Sequence, residues 1–241
     1  MPILALVFDV FGTVVDWRRG VAAEVEALAR RHGVALDGGA FADAWRAGYM
    51  PSMQQVRDGR LPWTTLDGLH RMTLDALLAE RGLHWPEPDV AGLNQAWHRL
   101  PAWPDAVAGL RALKARWPIA TLSNGHLALL LGMARHAGLP WDALLSAELF
   151  GHYKPDPEVY LGAARLLGVQ PRQLMMVAAH PADLRAAAAC GLRTALVKRP
   201  LERGPGGPVE PWAAGEFDLE AGDFLDLAQR LEAQGQGPRS T

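Results

Sequence analysis

The chain has 241 residues, yet only one cysteine, three lysines and no apolar run of membrane length. The single Cys190 excludes an internal disulfide and a multi-thiolate metal site. It ends an alanine-rich segment and reads as a packing residue. No stretch approaches the roughly 18 consecutive apolar residues of a bilayer span. The N-terminus enters strand-like residues directly, without a charged region and a long apolar stretch behind it. A cytoplasmic location is therefore expected, with no membrane partner. A formal charge of -2 offers no attraction to nucleic acid either. Lysine occurs only at Lys114, Lys154 and Lys198, so arginine carries nearly all the positive charge, and none falls between Asp16 and Leu100. What is present, 49% hydrophobic and 21% charged residues, is the composition of a globular protein with ample core.

Two textures divide the chain. From Asp16 to about Leu100 the pattern is helical throughout, with Val21, Val25, Leu28 and Ala29 at helical spacing. A second helix is expected from Phe41 to Val56, kinked or split by Pro51. Leucines 66, 69, 74, 77 and 78 mark a third, and a shorter helix follows Pro86. Beyond Pro104, apolar runs at 118–122, 143–147, 174–178 and 194–197 alternate with helical stretches. Together with the run Ile3–Phe8 they predict an α/β fold with a doubly wound parallel sheet, interrupted by an inserted helical bundle. Gly204–Pro211 reads as a loop and 234–241 as a frayed tail. There is no internal repeat.

The first strand ends on a carboxylate, Asp9, and breaks at Gly12. An α/β fold presents a nucleophile in this way, at the carboxyl edge of its sheet. A phosphoryl-transfer loop would need a second carboxylate two residues on, to protonate the leaving oxygen and help hold Mg²⁺. Phe11 stands there instead. The loop suits carboxylate attack that needs neither metal nor leaving-group acid, so no cofactor and no active-site metal is expected.

Four motifs follow in order: Phe8-Asp9-x-Phe11-Gly12-Thr13, Leu122-Ser123-Asn124-Gly125, Tyr153-Lys154-Pro155-Asp156-Pro157-x-x-Tyr160, and an acidic loop ending at Asp183. In these motifs, over nearly its whole length, the chain resembles the haloacid dehalogenase superfamily, and within it the type II 2-haloacid dehalogenases. The resemblance implies a Rossmann-like core from residues 1–15 and 101–241 with a helical cap domain at 16–100. It also implies hydrolysis of short 2-haloacids, such as haloacetate or an L-2-haloacid, to 2-hydroxyacids through an ester on Asp9. The substrate would be a small halogenated carboxylate.

The resemblance carries roles onto particular residues. Lys154 would keep Asp9 ionised, and Tyr160 would support that network. Ser123 and backbone amides after Asp9 would receive the substrate carboxylate, unless the serine only caps a turn. Arg46, with Asn124 as partner, would receive the halide on a guanidinium fork. Phe11 and Trp45, with Trp63 or Tyr49, would wall off water, and Thr13 belongs to the same substrate-facing set. The fourth motif departs from the family's Ser-Ser-Asn pattern and reads Val177-Ala178-Ala179-His180-Pro181-Ala182-Asp183, closer to a subgroup with histidine there. Neutral His180 is accordingly expected to act as general base for ester hydrolysis, with Asp183 orienting it or a nearby donor.

Several other readings compete. A Mg²⁺-dependent phosphatase is disfavoured by Phe11 and His180, and a Schiff-base phosphonate cleaver by the missing lysine in 16–100. Another metal-independent hydrolase of this type, or a retired carboxylate-binding scaffold, remains as an alternative. Apolar faces in the helical segment leave room for a homodimer.

Overall fold

The computed structural model describes residues 1–235, so most of the tail expected at 234–241 lies outside the described residues. Six strands, β1 (Ala5–Phe8), β2 (Ile119–Ser123), β3 (Ala143–Ser146), β4 (Leu174–Ala178), β5 (Arg193–Val197) and β6 (Leu219–Ala221), form one sheet in the order β3-β2-β1-β4-β5-β6. Every pairing is parallel. The five strands read from the sequence are all present. The sixth is a three-residue edge strand, too short to show a period.

Side-chain alternation explains why these strands read as unbroken apolar runs. Leu6, Phe8, Met175, Val177, Ala195 and Val197 enter one core, whereas Ala5, Val7, Leu174, Met176, Ala178 and Leu196 enter another on the opposite face. Both faces are covered, as a doubly wound sheet requires. The first core continues into the helices that follow β1, through Trp17, Phe41, Trp45 and Trp97.

Between β1 and β2 the described chain carries only helices: α1 (Trp17–Arg31), α2 (Gly38–Ala47), α3 (Tyr49–Arg57), α4 (Leu66–Glu80), α5 (Glu87–Asn94), a 3₁₀ turn Gln95–Arg99, and α6 (Ala106–Lys114). Asp16 starts α1 by accepting from the Arg19 amide, and Asp37 starts α2 by accepting from Ala40. The long helix expected at 41–56 is two helices, broken at Gly48 rather than at Pro51. A proline ring clashes with the carbonyl four residues before it, here that of Ala47, so α2 ends there and Pro51 sits harmlessly in the first turn of α3. The outgoing and returning chains lie side by side: Val15 bridges Ala102 antiparallel, Asp16 N donates to Pro101 O at 2.9 Å, and Trp103 N donates to Val14 O at 3.0 Å.

The remaining helices are α7 (Leu127–Ala137), α8 (Pro157–Leu166), α9 (Pro181–Ala189) and α10 (Phe224–Ala233). Helices α6, α7 and α10 cover one face of the sheet and α8 and α9 the other. None among the described residues is long and apolar enough to cross a membrane.

Where α6 meets α10, the two backbones approach closely at Gly109. A Cβ there would lie 2.3 Å from Phe224 Cβ and 2.8 Å from its carbonyl carbon. Gly109→Val should therefore push α10 off the sheet and cost about 1–3 kcal/mol, measured as a lower urea midpoint with unchanged slope.

Candidate active site

In the strand order, connections from β1 and β4 leave in opposite directions, and a crevice opens at their carboxyl ends. Asp9 follows β1 there and is buried, its amide donating to Val177 O at 3.0 Å. Its carboxylate accepts three side-chain hydrogen bonds: Lys154 Nζ to Oδ1 at 2.9 Å, Thr13 Oγ1 to Oδ2 at 2.7 Å, and His180 Nδ1 to Oδ2 at 3.1 Å. The loop between Asp9 and Thr13 turns at Gly12, whose φ is 84°. A Cβ at this position would lie 2.2 Å from Glu202 Oε1, so only glycine lets the loop pass that carboxylate.

Lys154 also donates to Asp183 Oδ2, and Tyr160 donates its hydroxyl to Asp183 Oδ1 at 2.6 Å. The Asn124 side chain fixes the backbone at Lys154, accepting from its amide at 2.7 Å. Burial alone would raise the Asp9 carboxyl, but the Lys154 ammonium and His180 together hold it far below the usual carboxylate range. Burial would lower Lys154, yet Asp183 and Asp9 raise it. The Asp183 carboxyl is raised, first by burial and then by the charge on Asp9, against the pull of Lys154. The network thus contains a strongly ionised carboxylate, a fixed cation and a second carboxylate of higher basicity.

His180 differs from its sequence expectation in both partner and charge. Its Nε2 lies 3.0 Å from each Glu202 oxygen, while Asp183 is bonded elsewhere. The partner that orients it is Glu202, itself held by Trp17 Nε1 at 2.9 Å. Ionised carboxylates only accept, so each ring nitrogen must carry a proton. Burial opposes this, but Asp9 and Glu202 outweigh it and push the imidazole up to about 10. The resting group is an imidazolium, not a neutral base.

A cavity of about 370 Å³ opens onto Asp9, walled by Phe11, Arg46, Ala47, Tyr49, Met50, Asn124, Lys154, Pro155, Tyr160, His180, Ala182, Asp183 and Arg203. The Arg46 guanidinium stacks 3.9 Å from the Tyr49 ring centre, and its Nη1 is buried without a hydrogen-bond partner. A buried donor left unpaired costs about 1–3 kcal/mol, and an anion in the cavity would satisfy it.

Of the residues read from the sequence, Asp9, Phe11, Arg46, Tyr49, Asn124, Lys154, Tyr160, His180 and Asp183 share this cavity. Four do not line it. Thr13 is fully buried and holds Asp9, accepting in turn from the Ala179 amide at 2.9 Å. Ser123 is fully buried, and its Oγ accepts from Gly125 N at 3.2 Å, the turn-capping alternative. Trp45 lies in the core, donating to His70 O at 2.9 Å. Trp63 stacks on Tyr153, away from the cavity. Asn124 makes no bond to Arg46; its amide donates to Met53 Sδ and Lys154 O, both at 3.4 Å. Glu202 and Arg203 went unread, since a charged pair beside a Gly/Pro-rich loop looks like ordinary surface.

The family model for haloacid dehalogenase-like hydrolases matches residues 3–191. The (S)-2-haloacid dehalogenase 1 of Pseudomonas sp. (strain CBS-3) is 34% identical over 209 residues, covering 82% of this chain and 86% of that protein. A crystal structure of an L-2-haloacid dehalogenase superposes with a TM-score of 0.92 at 52% identity, covering 96% of this chain and 99% of that one. The L-2-haloacid dehalogenase from Xanthobacter autotrophicus with chloropropionic acid covalently bound superposes at 0.79, with 26% identity and coverage of 95% and 98%.

The charge on His180 has a measurable consequence. Folding raises its pKa from about 6.5 to about 10, so its contribution to stability is complete below pH 6.5 and disappears as pH rises through 10. Urea stability should decline across that interval, and His180→Gln should remove that part of the decline. An imidazole NMR titration centred near 6.5 would contradict the assignment.

Proposed function

The chain belongs to the haloacid dehalogenase-like hydrolases, and from that premise we propose that its cavity hydrolyses short 2-haloacids to 2-hydroxyacids and halide through an ester on Asp9. The reading rests on one observation above all. A buried, firmly ionised carboxylate opens onto a cavity whose wall also carries an unpaired guanidinium donor and, in place of the phosphatase acid, Phe11.

Each Asp9 oxygen has two in-plane lone pairs. Oδ2 accepts two side-chain donors and Oδ1 one, so Oδ1 is the freer nucleophile. Its attack forms an O–C bond at the carbon bearing the halogen while the C–X bond breaks and halide leaves with the electron pair. In-line displacement inverts that carbon, so an L-substrate gives a D-product. Arg46, with Asn124 across the same cavity, receives the halide. Arg203 at the cavity wall draws in the substrate carboxylate.

Water then attacks Cγ of the Asp9 ester. Asp183, made more basic by burial, takes one water proton. Negative charge develops on Oδ2, where the Thr13 hydroxyl and the His180 imidazolium already donate. His180 therefore serves as an oxyanion donor rather than as the base. Collapse breaks the Cγ–Oδ1 bond, the alkoxide recovers a proton from Asp183, and re-ionised Asp9 releases the other to solvent. The product hydroxyl carries the old Asp9 oxygen.

Residues 16–100 act as a cap, contributing Arg46, Tyr49 and Met50, over a core of 1–15 and 101–241 that supplies the charges. We place this enzyme in the cytoplasm. The exposed Met50 and Met72 on the cap suit a homodimer, which sedimentation measures.

Halide release from chloroacetate and L-2-chloropropionate, with chelator present, tests the reading directly. Asp9→Asn should reduce it by roughly three orders of magnitude or more, and Arg46→Met by about a hundredfold. Phosphate release from an aryl phosphate with Mg²⁺, and no halide, would overturn it. A single turnover in ¹⁸O-water should label Asp9 and not the product. His180→Ala should let the ester accumulate in mass spectra. In the unmodified enzyme ester hydrolysis should slow as pH rises, because the donor form of His180 is lost; a base would give the opposite slope.

A further inference from the structure

Away from the cavity, three side chains from separate elements converge on one point. Asp67 lies in the first turn of α4, His98 in the 3₁₀ turn Gln95–Arg99, and His126 caps the start of α7. His98 Nε2 is 2.9 Å from both Asp67 oxygens and His126 Nε2 is 3.5 Å from Oδ2. One donor atom from each residue falls within 4.8 Å of the others. From these positions we propose that Asp67, His98 and His126 bind a divalent transition-metal ion of the zinc type, clipping the helical segment to α7.

The spacing matches that chemistry. Zinc bonds of about 2.0–2.1 Å at tetrahedral angles set neighbouring donor atoms roughly 3.3 Å apart. The separations of 2.9 and 3.5 Å from Asp67 bracket this value. Two imidazole nitrogens and one carboxylate form a donor set for Zn²⁺ or Co²⁺, whereas Mg²⁺ and Ca²⁺ prefer oxygen alone. A fourth, open position falls to water.

The site is also built rather than incidental. Side-chain exposures are 24%, 15% and 10% for Asp67, His98 and His126, so the cluster is mostly withdrawn from solvent. The Asp67 carbonyl is held by Asn94 Nδ2 at 3.0 Å. His98 is pressed against α7, where a Cβ on Gly132 would lie 3.0 Å from its Nδ1. His126 Nδ1 is buried with no hydrogen-bond partner, so the polar environment that orients this ring lies on its Nε2 side. None of the three residues lines the catalytic cavity. An ion here would bridge two parts of the fold without touching the chemistry, and would stabilise the folded chain by mass action.

The full chain, freed of metal by chelator and dialysis, should be titrated with Zn²⁺ by calorimetry and with Co²⁺ by visible absorption. One ion per chain, an intense tetrahedral Co²⁺ spectrum and a Zn²⁺-dependent rise in Tm are expected, with no Mg²⁺ response. His98→Gln with His126→Gln should abolish heat, spectrum and Tm shift. Asp67→Asn, which keeps the side chain's shape and one acceptor oxygen but removes the charge, should weaken binding by more than the roughly 10–100-fold typical of an outer partner. Halide release at saturating substrate should be independent of occupancy. Absence of saturable Zn²⁺ binding, or binding unchanged in these variants, would show the cluster to be a hydrogen-bonded clamp and overturn the proposal.

Discussion

The Asp9 carboxylate and the Lys154 ammonium meet at 2.9 Å with almost no contact to water, and the neighbouring side chains are arranged around what that pair requires. Removing two such ions from water costs several kcal/mol each, and their mutual attraction offsets this only when the remaining lone pairs and protons are also satisfied. Lys154 therefore takes a second carboxylate, Asp183, which in turn takes the Tyr160 hydroxyl. Asp9 fills its other oxygen with Thr13 and His180, His180 needs Glu202, and Glu202 needs Trp17. One ion pair thus recruits partners from the β1 loop, α1, α8, α9 and the loop after β5. The order of the strands matters because it brings these loops to one edge.

Under the proposed mechanism, the same arrangement gives each half-reaction a different field. While Asp9 is an anion, it holds His180 protonated and raises Asp183. Once Asp9 carries an ester it is neutral, and both effects relax. Asp183 then remains as the carboxylate on Lys154, and His180 still points its Nδ1 at the oxygen where charge will next develop. No side chain needs to move for the network to change task, because the substrate itself removes and restores the charge that organises it. The helical segment contributes the complementary piece: Arg46, braced on Tyr49 with a buried unpaired donor, offers cationic hydrogen bonding in the same cavity.

Much of this was legible from local pattern. Strands buried on both faces are continuous apolar runs, so five of six appear in the sequence; β6, with three residues, has no pattern to read. Helix α10 also carries readable spacing, at Phe224, Leu227, Ala228 and Leu231 behind an Asp223 cap. Proline gave the right warning near position 51 but at the wrong residue, since its clash acts on the carbonyl of Ala47. Trp45 shows why aromatic residues mislead: it neighbours Arg46 in sequence but is turned about 100° around the helix and packs in the core. Ser123 and Thr13 show that a motif residue can serve the backbone or the nucleophile instead of the substrate.

By itself the sequence determined the alternation that makes a parallel sheet, the helical interruption after the first strand, and the carboxylate at that strand's end with phenylalanine where a second acid would stand. These are properties of short windows, because strand period, helix period and motif spacing are local. Only the tertiary structure decided that His180 is charged and that Glu202 orients it, because Glu202 is 22 residues from His180 and Trp17, which holds Glu202, is 185 residues from Glu202. Only it brought Asp67, His98 and His126 together from three elements. Protonation and metal affinity depend on distances between side chains and on water removed around them, and neither quantity exists until the chain has folded.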